Sequence, residues 1–380
     1  MTNLRSIAAF WLVAYAVPTI AAAQQVTRAA VTWDARAAAT YLDARQSWWL
    51  LWPTAARDHE TSCVSCHTAL PYALARPALR AALQQTEMPA PERRLVENVV
   101  KRVRLWKEVE PFYPDQTRGL PKSSESRGTE AILNAIVVAT RDAQSGKISD
   151  DARVAFDNLW ALQFKNGDLA GAWAWLNFHY EPWESDDAAY FGATLAAIAV
   201  GVEPEGYAAS SEIQNRLKAL RDYLQRGAPT QRLFNRAMLL WASNRLPGSL
   251  SAADRQEIVD TLFAKQRADG GWSLSSLGRW KRSDGTAIDS TSDGYASGLV
   301  AYALQQAGIS ADEPRLARAL DWLVRHQDRA TGMWMASSLN KRRDPASDIG
   351  KFMSDAATAY AVLALTANAA FRPRPSGIDE

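Results

Sequence analysis

Apolar positions recur along this chain with helical spacing. Leu316, Ala319, Leu320 and Leu323 fall at i, i+3, i+4 and i+7, one apolar face of an otherwise charged helix. Other stretches are Ala-rich and apolar, and most of them open on a related signature: Ser65-Cys66-His67-Thr68-Ala69-Leu70, Ser185-Asp186-Asp187-Ala188-Ala189-Tyr190, Ser292-Asp293-Gly294-Tyr295-Ala296-Ser297 and Ser354-Asp355-Ala356-Ala357-Thr358-Ala359. A weaker copy starts at Ser126 and a degenerate one near Thr230, ahead of Phe234, Ala237, Leu240 and Trp241. The starts lie about 45 to 62 residues apart, the scale of helix-pair arrays.

A second element precedes several of these starts. It reads Gln266-Arg267-Ala268-Asp269-Gly270-Gly271-Trp272, Gln327 with Gly332 and Trp334, Gln163 with Gly167 and Trp173, and Gln46 with Trp48 and Trp49. Each unit therefore predicts a helix, a Gln/Gly/Trp turn, a loop, and a second helix that Ser or Asp can cap. The Gln amide can bond freed backbone groups and the Trp plate can cover the junction. Six such units can close into a ring of inner helices wrapped by outer ones, or stack as an open solenoid.

The Gln266 to Trp272 segment resembles the QW motif (QxxxGxW) of the squalene cyclase and prenyltransferase superfamily. That resemblance implies an all-α, single (α/α)6 toroid over residues 24–380. It is strict only in this copy, since Gln327 to Trp334 is one residue longer and the Gln163 copy looser. The triterpene cyclases of the superfamily use two toroids, and this chain has length for one. Fold does not carry activity with it.

Composition agrees with one large core: 380 residues, 47% hydrophobic, with fifteen Trp against eleven Tyr and ten Phe. A net charge of +2 with no basic domain argues against nucleic acid as a partner. Arg5, the apolar run from Ile7 to Ile20 and Ala21-Ala22-Ala23 have the three parts of a secretory signal, residues 1–23, cleaved near Ala23. An uncleaved anchor is the alternative. Either places the protein in the periplasm or another exported space.

Both cysteines fall in Cys63-Val64-Ser65-Cys66-His67, the CxxCH spacing of covalent haem c attachment. Two thiols at that spacing can form thioethers, and His67 then reaches the iron. A redox CxxC pair and a zinc or structural role are the alternatives. By the repeat register, Cys66 and His67 stand where Asp186 and Asp187 stand, which places the haem at the mouth of the ring. Met353 and His179 are candidate sixth ligands, beside an open site; Met333 and Met335 lie in the loop feeding Met353, and His59 is too close in sequence to cross the haem face.

Glu184-Ser185-Asp186-Asp187-Ala188-Ala189 resembles the DxDDTA acid motif of squalene-hopene cyclases, with Glu for the first Asp and Ala for Thr. That resemblance implies Asp186 as general acid, tuned by Asp187 and Glu184. The recurrence of Asp293 and Asp355 at the same register suits helix capping in every unit instead. Arg279, Lys281 and Arg282, with Lys341, Arg342 and Arg343, are placed to meet haem propionates or an acidic redox partner, or simply to be solvated. The sequence thus supports three classes: a haem protein for electron transfer or oxidation of an apolar molecule, an isoprenoid cyclase, and a lipid- or gas-binding haem sensor.

Overall fold

The computed structural model describes residues 32–367, so the expected signal segment, 1–23, lies outside the described residues. Within them run twelve α-helices: α1 (Ala35–Leu51), α2 (Ala69–Ala82), α3 (Ala90–Arg104), α4 (Ser123–Ser145), α5 (Asp150–Ala161), α6 (Ala188–Val202), α7 (Gln214–Gly227), α8 (Leu233–Arg245), α9 (Ala252–Ala264), α10 (Gly294–Gln306), α11 (Pro314–Arg325) and α12 (Phe352–Thr366). One two-stranded ribbon, Ala56–Arg57 with Thr61–Ser62, precedes α2. No helix among the described residues is long and apolar enough to cross a membrane.

The even-numbered helices pack in the order α2, α4, α6, α8, α10, α12 and back to α2, a closed ring. The odd-numbered helices lie outside it, and α1 bridges α12 and α2 across the seam. Composition explains the division. The inner helix α6, AAYFGATLAAIAVGV, is buried almost throughout, as a helix with neighbours on all sides must be. The outer helix α11 buries Leu316, Ala319, Leu320 and Leu323 and exposes charge on its other face. All six sequence starts precede or fall in the first turn of an inner helix.

Three of the Gln/Gly/Trp turns fold into the same clasp. The indole N–H of Trp173, Trp272 and Trp334 donates to the carbonyl of Leu159, Leu262 and Leu323, near the end of the preceding outer helix, at 2.6, 2.7 and 2.8 Å. The amide Nε2 of Gln163, Gln266 and Gln327 donates to its own turn at Gly171, Gly270 and Gly332, and also to Arg216, Arg315 and Asp34 at the start of the next outer helix. The three glycines have φ of +97°, +99° and +80°, and a Cβ there would strike the backbone of that next helix at Ala219, Arg318 or Ala37. The clasp tolerates loops of different length: in the looser Gln163 copy its glycine is Gly171 and not Gly167, which the sequence pattern singles out and at which a Cβ would meet nothing within 4 Å. Gln327 closes the ring, since Asp34 precedes α1; Asp34 N also donates to its Oε1 at 2.6 Å.

Two expectations need correcting. Gln46 is no turn residue: it is buried inside α1, and its amide has no hydrogen-bond partner. Capping by the recurrent Asp holds only at Asp293, which accepts from Ala296 N. Asp187 sits at the N-cap of α6 without a side-chain capping bond, and Asp355 lies inside the first turn of α12.

Candidate functional site

The Cys63–His67 segment leaves the ribbon and enters α2 under tight constraint. Asn98 of α3 brackets Ser62, accepting its N–H at 2.7 Å and donating to its carbonyl at 2.9 Å. Arg102, fully buried on the same helix, donates to Thr61 Oγ1 and pairs with buried Glu130 at 2.6 Å. Trp49 Nε1 donates to the Cys63 carbonyl. Ser65 Oγ accepts from Thr68 N and Ala69 N, so this Ser, from the start of its repeat, caps α2. Ordinary hydrogen-bonding groups thus fix the backbone around both thiols.

Both thiols are unpaired and buried. Burial pushes the Cys63 thiol up to about 11 and the Cys66 thiol well above its usual value, so neither is a thiolate at neutral pH. Reactive CxxC pairs need the opposite. Zinc would need four protein ligands, and among the described residues no group of three or more His, Cys, Asp or Glu is placed to hold a metal ion.

His67 is enclosed by rings. Phe352, the first residue of α12, stacks on it at 3.7 Å between centroids; Trp49 meets it edge-on at 4.9 Å and Trp183 lies at 6.1 Å. Its Nδ1 lies 2.8 Å from Thr68 Oγ1, and Thr68 Oγ1 donates to Asp355 Oδ2 at 2.7 Å. Because the hydroxyl proton goes to the carboxylate, Thr68 is the acceptor from Nδ1–H, leaving Nε2 with a free lone pair. Burial, reinforced by Arg45, drops the imidazole to about 3, so it stays neutral. A neutral imidazole with its second nitrogen anchored is the form a metal ligand takes.

The strap between α5 and α6 completes the mouth. It folds back between Tyr180 and Glu184 and is tied down by Leu176 N to Thr129 Oγ1 and by Lys122 Nζ to the Asn177 carbonyl. Its Trp183 hydrogen-bonds Tyr295 of α10 at 3.1 Å while packing near His67 at the head of α2. A side chain arriving beside α6 that touches both α2 and α10 must stand near the ring axis, because these three helices alternate around it. Tyr360 of α12 meets Tyr295 edge-on at 5.2 Å, and both tyrosines lie within electrostatic range of Cys66.

The acid cluster divides sharply. Asp186 is exposed, bonded to Asn177 Nδ2 at 2.8 Å and His179 Nδ1 at 3.1 Å, and those partners hold it below the usual carboxylate range. It is therefore a surface carboxylate, whereas the role that the resemblance implies for it is that of a proton donor inside the ring. Asp187 is half-buried and paired with Arg232 at 3.2 Å. Glu184 is the inward carboxyl. Burial, opposed by Arg118 and Lys122, raises it to about 7 in the neighbourhood of Cys63 and Cys66. Glu184 and His67 are both half-buried, in contrast to the exposed Asp186.

The candidate sixth ligands separate too. His179 is exposed and committed to Asp186, whereas Met353 is buried in the first turn of α12 beside Phe352. Met333 is buried and Met335 exposed. Of the basic clusters, Arg282 is a buried tie, donating to the carbonyls of Ser338 and Ala287; Arg279, Lys281, Lys341, Arg342 and Arg343 are solvated. Sequence reading missed Thr68, Tyr41, Arg45, Trp183 and Phe352. Tyr41 and Arg45 carried a signal, being polar groups four apart on one helix face; Phe352 carried none.

No family model and no curated protein matches this chain. Solved structures do. An inactive variant of the α-1,6-mannanase GH76A of Salegentibacter sp. HEL1_6, in complex with α-1,6-mannotetrose, is 12% identical over 87% of this chain and 99% of that one, with a TM-score of 0.51. The fold is an α/α toroid. The type II terpene cyclase MstE from Scytonema is 13% identical over 88% of this chain and 98% of its own, with a TM-score of 0.43. At 12% identity the likeness to the mannanase conveys the toroid architecture alone.

Proposed function

We propose that this toroid is an exported haem protein, holding one covalent haem c through Cys63 and Cys66 with His67 as axial ligand, and working in electron transfer or in oxidation of an apolar molecule within the ring. The observation that carries the reading is His67: neutral, anchored at Nδ1, free at Nε2, and one residue from the second of two unpaired thiols. That the described residues hold no group of three or more metal-ligating side chains does not count against it, because a haem macrocycle would supply four of the iron's ligands itself. A bound haem c brings a one-electron ferric/ferrous couple. The protein's part is to hold the imidazole, cover one face of it with Phe352, and exclude water with the surrounding Trp49 and Trp183. Met353 is our candidate for the sixth position, and the exposed basic residues of the rim suit an acidic redox partner.

The deciding experiment is the haemochrome spectrum after acid-acetone extraction of protein expressed in the periplasm with the haem-attachment machinery. A c-type band that stays with the polypeptide is expected. Its absence would sink the reading. One observation favours a second reading, an isoprenoid cyclase: Glu184 is a carboxyl raised to about 7 on the interior, the property of a proton donor. Turnover of a polyprenoid without any redox partner, lost in Glu184→Gln, would establish it.

A further inference from the structure

The seam of the ring converges on one carboxylate. Asp355, buried in the first turn of α12, takes Arg45 Nε at 2.7 Å and Tyr41 Oη at 2.8 Å on Oδ1, and Thr68 Oγ1 at 2.7 Å on Oδ2. Arg45 is itself held by Asp348 Oδ1 at 2.8 Å and the Asp348 carbonyl at 2.7 Å, with its guanidinium over Trp48. The Arg45 and Tyr41 bonds already staple α1 to α12. The Thr68 bond adds a second line, from the carboxylate through one hydroxyl to Nδ1 of His67.

We propose that Thr68 and Asp355 form a relay that fixes the tautomer of His67 and strengthens its Nε2 as a donor, making them positioning residues that set the reduction potential of a haem held there. The proposal rests on the haem reading. A carboxylate at the far end of the relay draws the Nδ1 proton outward, which loads electron density onto the ring and favours the ferric state. No bond is made or broken: the proton stays on Nδ1, the hydroxyl proton on Thr68. Arg45 and Tyr41 both donate to Oδ1, so Oδ2 is left to face Thr68.

The test has two readouts. In the full chain with C63A and C66A, which carries no covalent haem, long-range ¹H–¹⁵N NMR of His67 should show the Nδ1–H tautomer; Thr68→Val should mix the two tautomers, and Thr68→Ser should restore the first. In the haem-loaded protein, Thr68→Val should move the ferric/ferrous ratio at a fixed poise about tenfold toward ferrous, about 59 mV for a one-electron couple. Thr68→Ser should recover it, and Asp355→Asn should move it the same way as Thr68→Val. A merely structural Thr68 would leave the potential unmoved. An Nε2–H tautomer in the parent, or an unchanged potential in Thr68→Val, overturns the relay. If no haem attaches, the haem reading fails by itself and the tautomer measurement still decides whether Thr68 and Asp355 govern the imidazole. Thr68→Val keeps the Arg45–Asp355 pair, so the test does not depend on Asp355→Asn folding.

Discussion

The junctions between outer helices and the first unit of the ring are built from the same repeat, yet they do different work. At Gln163, Gln266 and Gln327 the glutamine Nε2 and the tryptophan indole N–H donate to backbone carbonyls, and the result is a joint. In the first unit the corresponding Gln46 is swallowed by α1, and Trp49 turns its indole to the Cys63 carbonyl. Where the repeat is kept its residues hold helices together; where it is broken the freed aromatics surround a histidine and two thiols. Departure from the repeat, more than conformity to it, marks the site.

The hardest test of that contrast is replacement of Cys63 and Cys66 by Ala. If the first unit is a chemical site, the covalent haem band should vanish entirely while far-UV circular dichroism keeps its helical signature. Next come the clasps. Trp272→Ala and Trp334→Ala should each lower stability by about 3–5 kcal/mol, the range for emptying a large buried aromatic site, read by denaturant unfolding. Equal losses at the two would confirm one joint used twice. Gln327→Ala should cost about 2–3 kcal/mol, from three hydrogen bonds of about 1 kcal/mol each. Gln266→Ala, with two such backbone bonds, should cost less, and the reverse order would break the view that the seam is the more heavily bonded joint.

Smaller effects sharpen the contrast between Glu184 and Asp186. The folded chain holds the Glu184 proton up to about pH 7, whereas the unfolded chain gives it up near the ordinary carboxylate value. Native protein therefore binds more protons between about pH 4.3 and 7, and this residue's contribution to stability falls as pH rises through that window. The slope approaches about 1 kcal/mol per pH unit, and Glu184→Gln should flatten it in unfolding curves taken from pH 4.5 to 7.5. Asp186→Asn, at the exposed end of the same segment, should change stability by less than about 0.5 kcal/mol and leave any haem band in place. A large effect there would reopen a catalytic role for Asp186.

Sequence pattern exposed the architecture well because the toroid repeats it: the apolar face of α11, the Ala-rich α6 and the Gln–Gly–Trp turns each announce a local need. The site was legible only in part. Cys63, Cys66 and His67 are adjacent in the chain, so their spacing is visible. Asp355 looked like one more cap because its register matches Asp293; what distinguishes it is Arg45, 310 residues away, and no local pattern encodes such a partner. Glu184 and Asp186 differ by which way a hairpin turns its side chains, and that orientation comes from the Tyr180 to Glu184 fold-back, invisible in composition.

The clasp between Gln327 and Asp34 joins residues 293 positions apart. It orders events in time. While the chain is being made, α1 and the Cys63–His67 segment exist long before α11 and α12, so the seam stays open and the two thiols lack the wall that later covers them. Once Phe352 has settled on His67 and Gln327 has caught Asp34, the thiols are sealed and un-ionised. Any large reagent that must reach them has to act on an unfinished ring, and the length of the circle sets how long it is given.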